Sequence, residues 1–466
     1  MNKPSRRNFL KGAAAGSFVV LTSKKTAAKE FLLSADPEPQ ATATGDKVRF
    51  ATIGVGGQGM SDTRTALQTG MAELVAVADI YDGRRERAQE IWGSHIFTTR
   101  DYREILTRKD VDAVIIGTPD HWHAQIAVDA LNAGKDVYCE KPIVQMLPDG
   151  HKVINAEKQT GKILQVGSQR VSSIVFAKAK ELLASGAIGT LNMVEAWINR
   201  RSNNAAWQYS IPPDARPDRI DWDRFLGNAP KVPFEPIRLF RWRNYRAYGT
   251  GIGGDLFIHL FSGLHFMVGS NGPSRVLGTG GLRFWKDGRD VPDVLLGLCD
   301  YSETKTHPGF NVSLRVNFVD GSVDPNAFEE SGYRLVGSDG VISLGSRGLT
   351  LTRKQRSKEP GYNIDTFPKA VQEEFVKAYR QQYPPQPPSI SQSSDEIYNA
   401  PSGYSDGLDH FRNFFKAVRS RNPVVEDATF GVRAAGPALL TNQSYFENRI
   451  MNWDPEKMKL TDDGGR

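Results

Sequence analysis

Cysteine is scarce in this sequence, with only Cys139 and Cys299 in 466 residues. Two cysteines cannot build the dense disulfide framework of a small secreted protein, so stability must come from ordinary hydrophobic cores. The apolar stretch from Gly12 to Leu21 is too short to span a bilayer, which takes about twenty residues. Apolar residues make up 39% of the chain and charged residues 24%, as in soluble globular proteins. A chain of this length is expected to form two domains.

An excess of one charge is also lacking once the N-terminus is set aside. The whole chain carries a formal charge of +6, and residues 1–28 contain six cations and no acid. The rest of the sequence is neutral overall, so it gives no argument for nucleic acid as a partner. The segment Ser5-Arg6-Arg7-Asn8-Phe9-Leu10-Lys11 and the apolar stretch after it resemble a twin-arginine export signal. We expect residues 1–45 to be this signal and a linker, the twin-arginine translocase to be a partner, and the protein to be periplasmic.

Residues 46–168 alternate short apolar strands with amphipathic helices. This alternation predicts an α/β fold with a Rossmann-type, doubly wound parallel sheet. The predicted strands are residues 48–53, 74–78, 113–116 and 136–139, and the predicted helices are residues 61–68, 84–92 and 123–133.

Residues 169–466 have a different pattern, which predicts a C-terminal α+β domain with a large open, mostly antiparallel sheet. Turn sequences such as Val319-Asp320-Gly321-Ser322 separate its strands. The predicted strands are residues 192–198, 275–282, 294–300, 312–318 and 333–336. Residues 383–403, rich in proline and serine, predict an exposed extended loop. Helices at 410–418 and 428–446 are expected to pack back on the first domain, and the open sheet offers a face for a homo-oligomer.

A glycine-rich turn follows the first strand. Gly54, Gly56, Gly57, Gln58 and Gly59 lie in a GxGxxG sequence between a strand and a helix, which is the context that dinucleotide binding requires. The glycines allow a tight turn and close approach of the pyrophosphate, which the helix N-terminus stabilises.

The second strand ends at Asp79, at the spacing where an acid accepts hydrogen bonds from the adenine ribose hydroxyls. A 2′-phosphate at about 4 Å from this carboxylate would be repelled by roughly 4 kcal/mol per charge pair at an effective dielectric constant of 20. We therefore expect NAD as the cofactor. NADP remains the alternative, because Arg84 and Arg85 lie close by in the sequence.

Two further motifs follow predicted strands. Thr118, Pro119, His121 and His123 follow the strand at 113–116, and Glu140-Lys141-Pro142 follows the strand at 136–139. Together with the glycine turn they resemble the glucose–fructose oxidoreductase/inositol dehydrogenase/rhizopine-catabolism (Gfo/Idh/MocA) family. The alternatives are a surface ion pair for Lys141 and a structural histidine for His123. No third ligand stands at a sensible spacing from the two histidines, so we expect no metal.

Asp255 and His259 are four residues apart, which would place them on one face of a helix. A buried carboxylate beside an imidazole would orient it and raise its basicity, as a general base requires. The resemblance implies that Lys141 hydrogen-bonds a substrate hydroxyl, that His259 takes its proton and that Asp255 supports His259. The alternative is an ordinary buried pair. In the family another Asp often follows this histidine by three residues, and here Ser262 occupies that position.

The resemblance also implies cofactor contacts for Thr118, Pro119, His123, Glu140 and Lys141, and for Gln169, Arg170, Trp242 and Arg243. Gly403-Tyr404-Ser405-Asp406-Gly407 fits the GxSxG pattern of serine hydrolases. No strand precedes this sequence, as a nucleophile elbow requires, so we interpret Ser405 and Asp406 as helix-capping residues.

These motifs predict an exported NAD(P)-dependent oxidoreductase that transfers a hydride between a tightly bound nicotinamide and a sugar or polyol hydroxyl. One alternative is an NAD-retaining glycosidase that acts by transient oxidation and elimination. Another is a sensor without catalysis, which export and the presence of Lys141, Asp255 and His259 disfavour.

Overall fold

The computed structural model describes residues 28–35, 47–321, 328–354, 359–385 and 395–461. Most of the expected signal and linker, residues 1–27 and 36–45, lies outside these described residues, but Lys29–Leu32 is a strand of the large sheet instead of a linker. The chain divides into two compact units, and the larger one holds both sheets. In the smaller unit the described residues include the helix Lys369–Gln382. The ring of its Tyr379 lies 4.6 Å from the ring of Tyr362, which precedes the helix. None of the helices that the structure describes is long and apolar enough to cross a membrane.

The first sheet has six strands, all parallel. In chain order its strands are Val48–Ile53, Ala72–Ala78, Phe97–Thr99, Ala113–Ile116, Asp136–Cys139 and Leu164–Val166. The helices between them are Gly57–Gln68, Asp82–Trp92, Tyr102–Thr107, Asp120–Asn132 and Gly150–Thr160, with the 3₁₀ turn Leu147–Asp149. The third strand in the chain lies at one edge and the first lies centrally between the second and the fourth. This is the strand order of dinucleotide-binding folds, and it confirms the predicted Rossmann-type sheet.

The second sheet has eleven strands and is mostly antiparallel, and its strands Leu191–Asn199 and Phe310–Asn317 pair in parallel. In sheet order the strands are Lys29–Leu32, Glu396–Asn399, Gly348–Arg353, Gly340–Leu344, Glu330–Gly337, Leu191–Asn199, Phe310–Asn317, Val294–Tyr301, Arg275–Gly281, Met451–Asp454 and Lys459–Leu460. The helical segments of this half of the chain are Gln169–Ser172, Ile174–Ala184, Trp222–Leu226, Pro236–Phe240, Trp242–Asn244, Gly253–Phe257, Ile258–Val268, Asp406–Ser420 and Ala428–Glu447. The large, mostly antiparallel sheet is confirmed.

One part of the predicted exposed loop at 383–403 is a strand instead. Residues 386–394 lie outside the described residues, but Glu396–Asn399 pairs antiparallel with Gly348–Arg353. Its Tyr398 is buried, and its ring stacks on that of Phe31 at 4.8 Å. Burial of this aromatic side chain makes pairing favourable even though proline and serine dominate the preceding sequence.

The helix Asp406–Ser420 packs back on the Rossmann sheet, as expected. Its Phe411, Phe414 and Phe415 are buried in the same hydrophobic cluster as Phe50 of the first strand. The rings of Tyr138 and Phe411 stack at 4.2 Å. Residues from the C-terminal part of the chain therefore complete the core of the nucleotide-binding domain.

Candidate active site

A cavity of about 460 Å³ lies at the ends of the Rossmann strands, where ligands bind in open α/β sheets. The glycine turn forms part of its lining. Gly54 has a φ of +84°, and a Cβ at this residue would lie 2.8 Å from the amide nitrogen of Thr118. A Cβ at Gly59 would lie 1.9 Å from the carbonyl oxygen of Gly54. Only glycine fits these two positions, which keeps the turn tight enough for a pyrophosphate to approach the backbone.

Of the predicted cofactor contacts, nine line this cavity. They are Gly54, Gly56, Gly57, Gln58, Asp79, Thr118, Pro119, Trp242 and Arg243. Arg243 also hydrogen-bonds the Asp255 carboxylate.

Asp79 lies beside the glycine turn and is nearly fully buried. Its two carboxylate oxygens accept hydrogen bonds from the backbone N–H groups of Val55, at 2.9 Å, and Tyr81, at 3.0 Å. Arg84 also faces Asp79, with Nη1 3.7 Å from Oδ2. The remaining acceptor capacity of the carboxylate is available to ribose hydroxyls.

Lys141, Asp255 and Arg243 form a buried ionic group. Lys141 Nζ donates to the Asp255 carboxylate Oδ1 at 3.0 Å and to the Asp255 backbone oxygen at 2.9 Å. Arg243 Nε donates to the same Oδ1 at 3.2 Å. Burial by itself raises the pKa of the Asp255 carboxyl, but Lys141 and Arg243 together hold that pKa well below its usual range. Asp255 is therefore a carboxylate that fixes two cations from different parts of the chain.

The expected pairing of Asp255 with His259 is wrong. Asp255 lies in a π-helical turn, Gly253–Phe257, so the α-helical spacing that would stack it on His259 does not apply. Its carboxylate is engaged by Lys141 and Arg243 instead.

His259 is partly exposed, and among the residues that the structure describes none hydrogen-bonds its imidazole. Asp255 does raise the pKa of His259, as expected, but the net shift is downward. Burial, then the charges of Lys141 and Arg170, lower the pKa of His259 well below 6.5, and Asp255 opposes this shift without reversing it. The imidazole is neutral near pH 7, which is the state a proton acceptor must start from.

Glu140 is buried beside Lys141. Burial raises the pKa of Glu140 to about 7, against the opposing charge of Lys141. Burial and the charge of Glu140 also raise the pKa of Asp62, whose Oδ1 accepts a hydrogen bond from Gln58 Nε2 at 2.9 Å. Gln169 approaches Glu140 at 3.5 Å. Neither Glu140 nor Asp62 lines the cavity, but Asp62 hydrogen-bonds Gln58, which does.

His123 does not face the cavity. It is buried, and its two ring nitrogens lie 2.7 Å from the Pro142 backbone oxygen and 2.8 Å from the Thr118 backbone oxygen. It therefore ties together the loops that follow two neighbouring strands. Arg170 is also outside the cavity lining, with Nη2 3.4 Å from Ser331 Oγ and 4.0 Å from the Glu329 carboxylate.

Sequence reasoning missed a buried cluster that holds the π-helical turn. The Asp120 carboxylate accepts from the backbone N–H of Thr250 at 3.0 Å and from its hydroxyl at 2.7 Å. Asn442 donates to the Thr250 backbone oxygen and accepts from the backbone N–H of Gly253. These partners are 130 or more residues apart in sequence, so no local pattern marks them.

Residues 48–168 match the model of an oxidoreductase family with an NAD-binding Rossmann fold, named GFO_IDH_MocA. Residues 48–168 are therefore an NAD-binding Rossmann domain of the Gfo/Idh/MocA type. The predicted family resemblance is thereby confirmed.

Curated relatives match about a third of the chain. An inositol 2-dehydrogenase of Salmonella typhimurium is 37% identical over 149 residues, which cover 32% of this chain and 44% of that protein. A glycosyl hydrolase family 109 protein of Shewanella baltica is 32% identical over 178 residues, covering 35% and 39%. The matched segment thus spans less than half the length of these relatives.

Solved structures share the fold over most of the chain. A levoglucosan dehydrogenase in complex with NADH has a TM-score of 0.60 at 19% identity, covering 87% of this chain and 99% of that one. A myo-inositol 2-dehydrogenase from Lactobacillus plantarum has a TM-score of 0.59 at 16% identity, covering 87% and 99%. These similarities show that the fold of both sheets occurs in these solved structures.

Three other features of the chain concern metal binding, helix capping and the core. In the described residues no cluster of three His, Cys, Asp or Glu side chains is arranged to hold a metal. Ser405 Oγ accepts a hydrogen bond from the backbone N–H of Leu408 at 3.2 Å and caps the helix Asp406–Ser420, which confirms its interpretation as a cap. Trp207 is fully buried, with its ring edge-on to Phe318 at 5.0 Å, so it is a core residue.

Proposed function

We propose that this chain transfers a hydride between a nicotinamide cofactor, held through turnover, and a carbon that bears a hydroxyl in a sugar or polyol. The observation that carries the proposal is the position of Arg243, which lines the dinucleotide cavity and shares the Asp255 carboxylate with Lys141. This contact joins the cofactor cavity to the Lys141 ammonium, whose charge helps to keep His259 neutral. Curated relatives named as inositol 2-dehydrogenases support the substrate class.

The glycine turn, Asp79, Thr118 and Trp242 would hold the dinucleotide, and the close approaches at Gly54 fit a pyrophosphate at this turn. When bound, the nicotinamide supplies the hydride acceptor. The C–H electron pair of the substrate leaves as hydride and its O–H bond breaks to release a proton.

His259 Nδ1 or Nε2 takes that proton, because its depressed pKa keeps the imidazole neutral. Lys141 hydrogen-bonds the substrate oxygen and favours its negative charge as the proton leaves. Asp255 holds Lys141 in place through two hydrogen bonds. In the reverse direction the same groups return the proton to a carbonyl oxygen.

A screen of sugars and polyols tests the proposal, read as reduction of the bound nicotinamide. Reduction by at least one compound, lost in Lys141→Met and retained in Lys152→Met, is expected. Lys152 is a matched control because it is exposed and pairs with Asp149 on the surface. Nucleotide binding without reduction by any compound would contradict the proposal.

A second function is favoured by the relatives named as glycosyl hydrolase family 109 proteins. In this case transient oxidation by the bound nicotinamide acidifies a neighbouring C–H and permits elimination of the glycosidic bond. Release of phenol from aryl glycosides, with no net nicotinamide reduction, would select this function over the first.

The location and the assembly state are also proposals. Export through the twin-arginine translocase predicts that the protein is found in the periplasmic fraction and that replacing Arg6 and Arg7 together with lysine retains it in the cytoplasm.

The outer face of the large sheet exposes Leu277, Leu296 and Leu298 on adjacent strands, with Leu277 and Leu298 directly paired. We propose that a second copy covers this face, and Leu298→Asp should then yield monomers in sedimentation.

A further inference from the structure

A long connection leaves the large sheet after Leu191–Asn199 and returns to the π-helical turn Gly253–Phe257. Its residues 201–250 are called the strap here. The strap contributes to the lining of the dinucleotide cavity, alongside the glycine turn. Cavity-lining residues of the strap include Tyr209, Arg224, Phe225, Leu239, Phe240 and Trp242.

The middle of the strap is hydrogen-bonded to the loop that follows Asp79. Tyr81 and Ile220 form an antiparallel bridge. The Asp82 N–H donates to the Arg219 backbone oxygen at 3.0 Å, and the Asp221 N–H donates to the Ile80 backbone oxygen at 2.9 Å. The strap is thus attached next to Asp79, the residue expected to bind the adenosine ribose.

Side chains reinforce this attachment. Arg219 makes two hydrogen bonds to the Glu86 carboxylate, at 2.8 and 2.7 Å. The Tyr81 hydroxyl donates to Asp214 Oδ1 at 2.5 Å. Exposed ion pairs contribute little individually, but these contacts fix which strap residues face the Rossmann domain.

An apolar cluster supplies the larger part of the attachment, because burial of aromatic surface outweighs exposed ion pairs. Tyr81 is its buried member from the Rossmann domain, and all its other buried members come from the strap. They are Ile220, Phe225, Leu226, Leu239, Phe240, Tyr245 and Tyr248. The ring of Phe240 packs edge-on against Tyr81 at 5.4 Å, and the Arg84 guanidinium lies 5.4 Å from the Phe240 ring centre.

We propose that the strap is a nucleotide-retaining element that covers the adenosine end of the cofactor and keeps it bound between turnovers. This inference rests on the proposed function, since it requires a bound dinucleotide. The adenosine leaves only when the strap separates from residues 80–86. Each oxidation of a substrate is then balanced by a reduction on the same bound molecule, without exchange with free nucleotide.

Release of NADH from the full-length protein tests the proposal. Bound NADH fluorescence is followed after addition of excess NAD⁺, in the parent, in Arg219→Ala and in the double variant Asp214→Asn/Arg219→Ala. We expect slow release from the parent and release at least tenfold faster from the double variant, with Arg219→Ala intermediate. The matched control is Arg216→Ala, because Arg216 is exposed and pairs only with Asp218 of the strap itself among the described residues. Its release rate should equal that of the parent.

A reversible cross-link distinguishes an effect of strap attachment on the release rate from an effect of altered folding. In the variant Glu86→Cys/Arg219→Cys the ion pair is lost, and a short disulfide-forming bifunctional linker can join the two thiols. The native Cys139 and Cys299 are buried and do not compete. Linked protein should release NADH at least tenfold more slowly than the unlinked variant, and a reducing agent should restore fast release.

Fast NADH release from the parent, or equal release from linked and unlinked protein, would overturn the retaining role while leaving the proposed function intact. A parent protein that contains no nucleotide after purification and binds no added NADH would overturn both. Bound NADH that exchanges slowly but reduces no carbonyl compound supports retention and contradicts only the proposed function.

Discussion

Lys141 Nζ lies 3.0 Å from Oδ1 of Asp255, although the two residues are 114 positions apart in the sequence. The lysine follows a strand of the nucleotide-binding sheet, and the aspartate lies in the π-helical turn that precedes the helix Ile258–Val268. The contact therefore joins the two sheets at the point where the cofactor cavity ends.

Replacing Asp255 with Asn is expected to lower kcat by about 10²-fold or more, within the range for loss of acid–base assistance. The amide keeps the shape of the side chain but loses the charge that holds Lys141 and Arg243. Nucleotide binding should change little, because the glycine turn and Asp79 are untouched. Steady-state kinetics and NADH titration measure the two effects separately; a variant with parental kcat would refute the positioning role.

The pH profile reports on His259. Its pKa is lowered by burial, Lys141, Arg170 and, less strongly, Arg200, so the acid limb of kcat/KM in the parent should lie below pH 6.5. Removing a cation raises the pKa of the imidazole, and Arg200→Gln should therefore move this limb to higher pH. The neighbouring, exposed Arg201 provides the control Arg201→Gln, whose profile should match the parent. A limb that moves to lower pH in Arg200→Gln would contradict the assignment.

Cofactor choice depends on Asp79. In Asp79→Ser the carboxylate that repels a 2′-phosphate is gone and Arg84 loses its anionic partner. We expect the ratio of Kd for NADP to Kd for NAD, measured on nucleotide-free protein, to fall at least tenfold, since roughly 4 kcal/mol of repulsion at an effective dielectric constant of 20 is removed. Adding Arg84→Ala to this variant should reverse most of this fall in the ratio. An unchanged ratio would show that neither side chain faces the 2′ position.

Ser405 is expected to matter for stability alone. Ser405→Ala removes the cap of the helix Asp406–Ser420 and should lower the free energy of unfolding by about 1 kcal/mol, measured by chemical denaturation. Substrate reduction per folded molecule should stay at the parental level. Ser402→Ala, at an exposed position three residues earlier, is the matched control and should be neutral in both measurements. Loss of turnover in Ser405→Ala would instead support a nucleophile.

The nucleotide-binding sheet was largely predictable from the sequence. The strands Val48–Ile53, Ala113–Ile116 and Asp136–Cys139 match the expected bounds, because each is a buried apolar run between turn residues. Phe97–Thr99 and Leu164–Val166 were missed, since three residues are too few to show a periodicity.

The site was only partly predictable. The strand-end positions of Asp79 and Lys141 follow from the topology rule for parallel sheets. The relation between Asp255 and His259 was inferred from α-helical spacing, and the π-helical turn at Gly253–Phe257 breaks that spacing. The strap has no regular apolar pattern, because it is organised by contacts with Tyr81 and Glu86, more than 130 residues earlier in the chain.

The stacking of Phe411 on Tyr138 has a consequence for how the protein is made. A ribosome that has released only the first two hundred residues presents a sheet whose surface around Tyr138 still lacks this covering helix. The helix emerges near the end of translation, whereas domains usually fold in N-to-C order as they appear. We therefore expect the nucleotide-binding domain to complete its core only when the polypeptide is nearly finished.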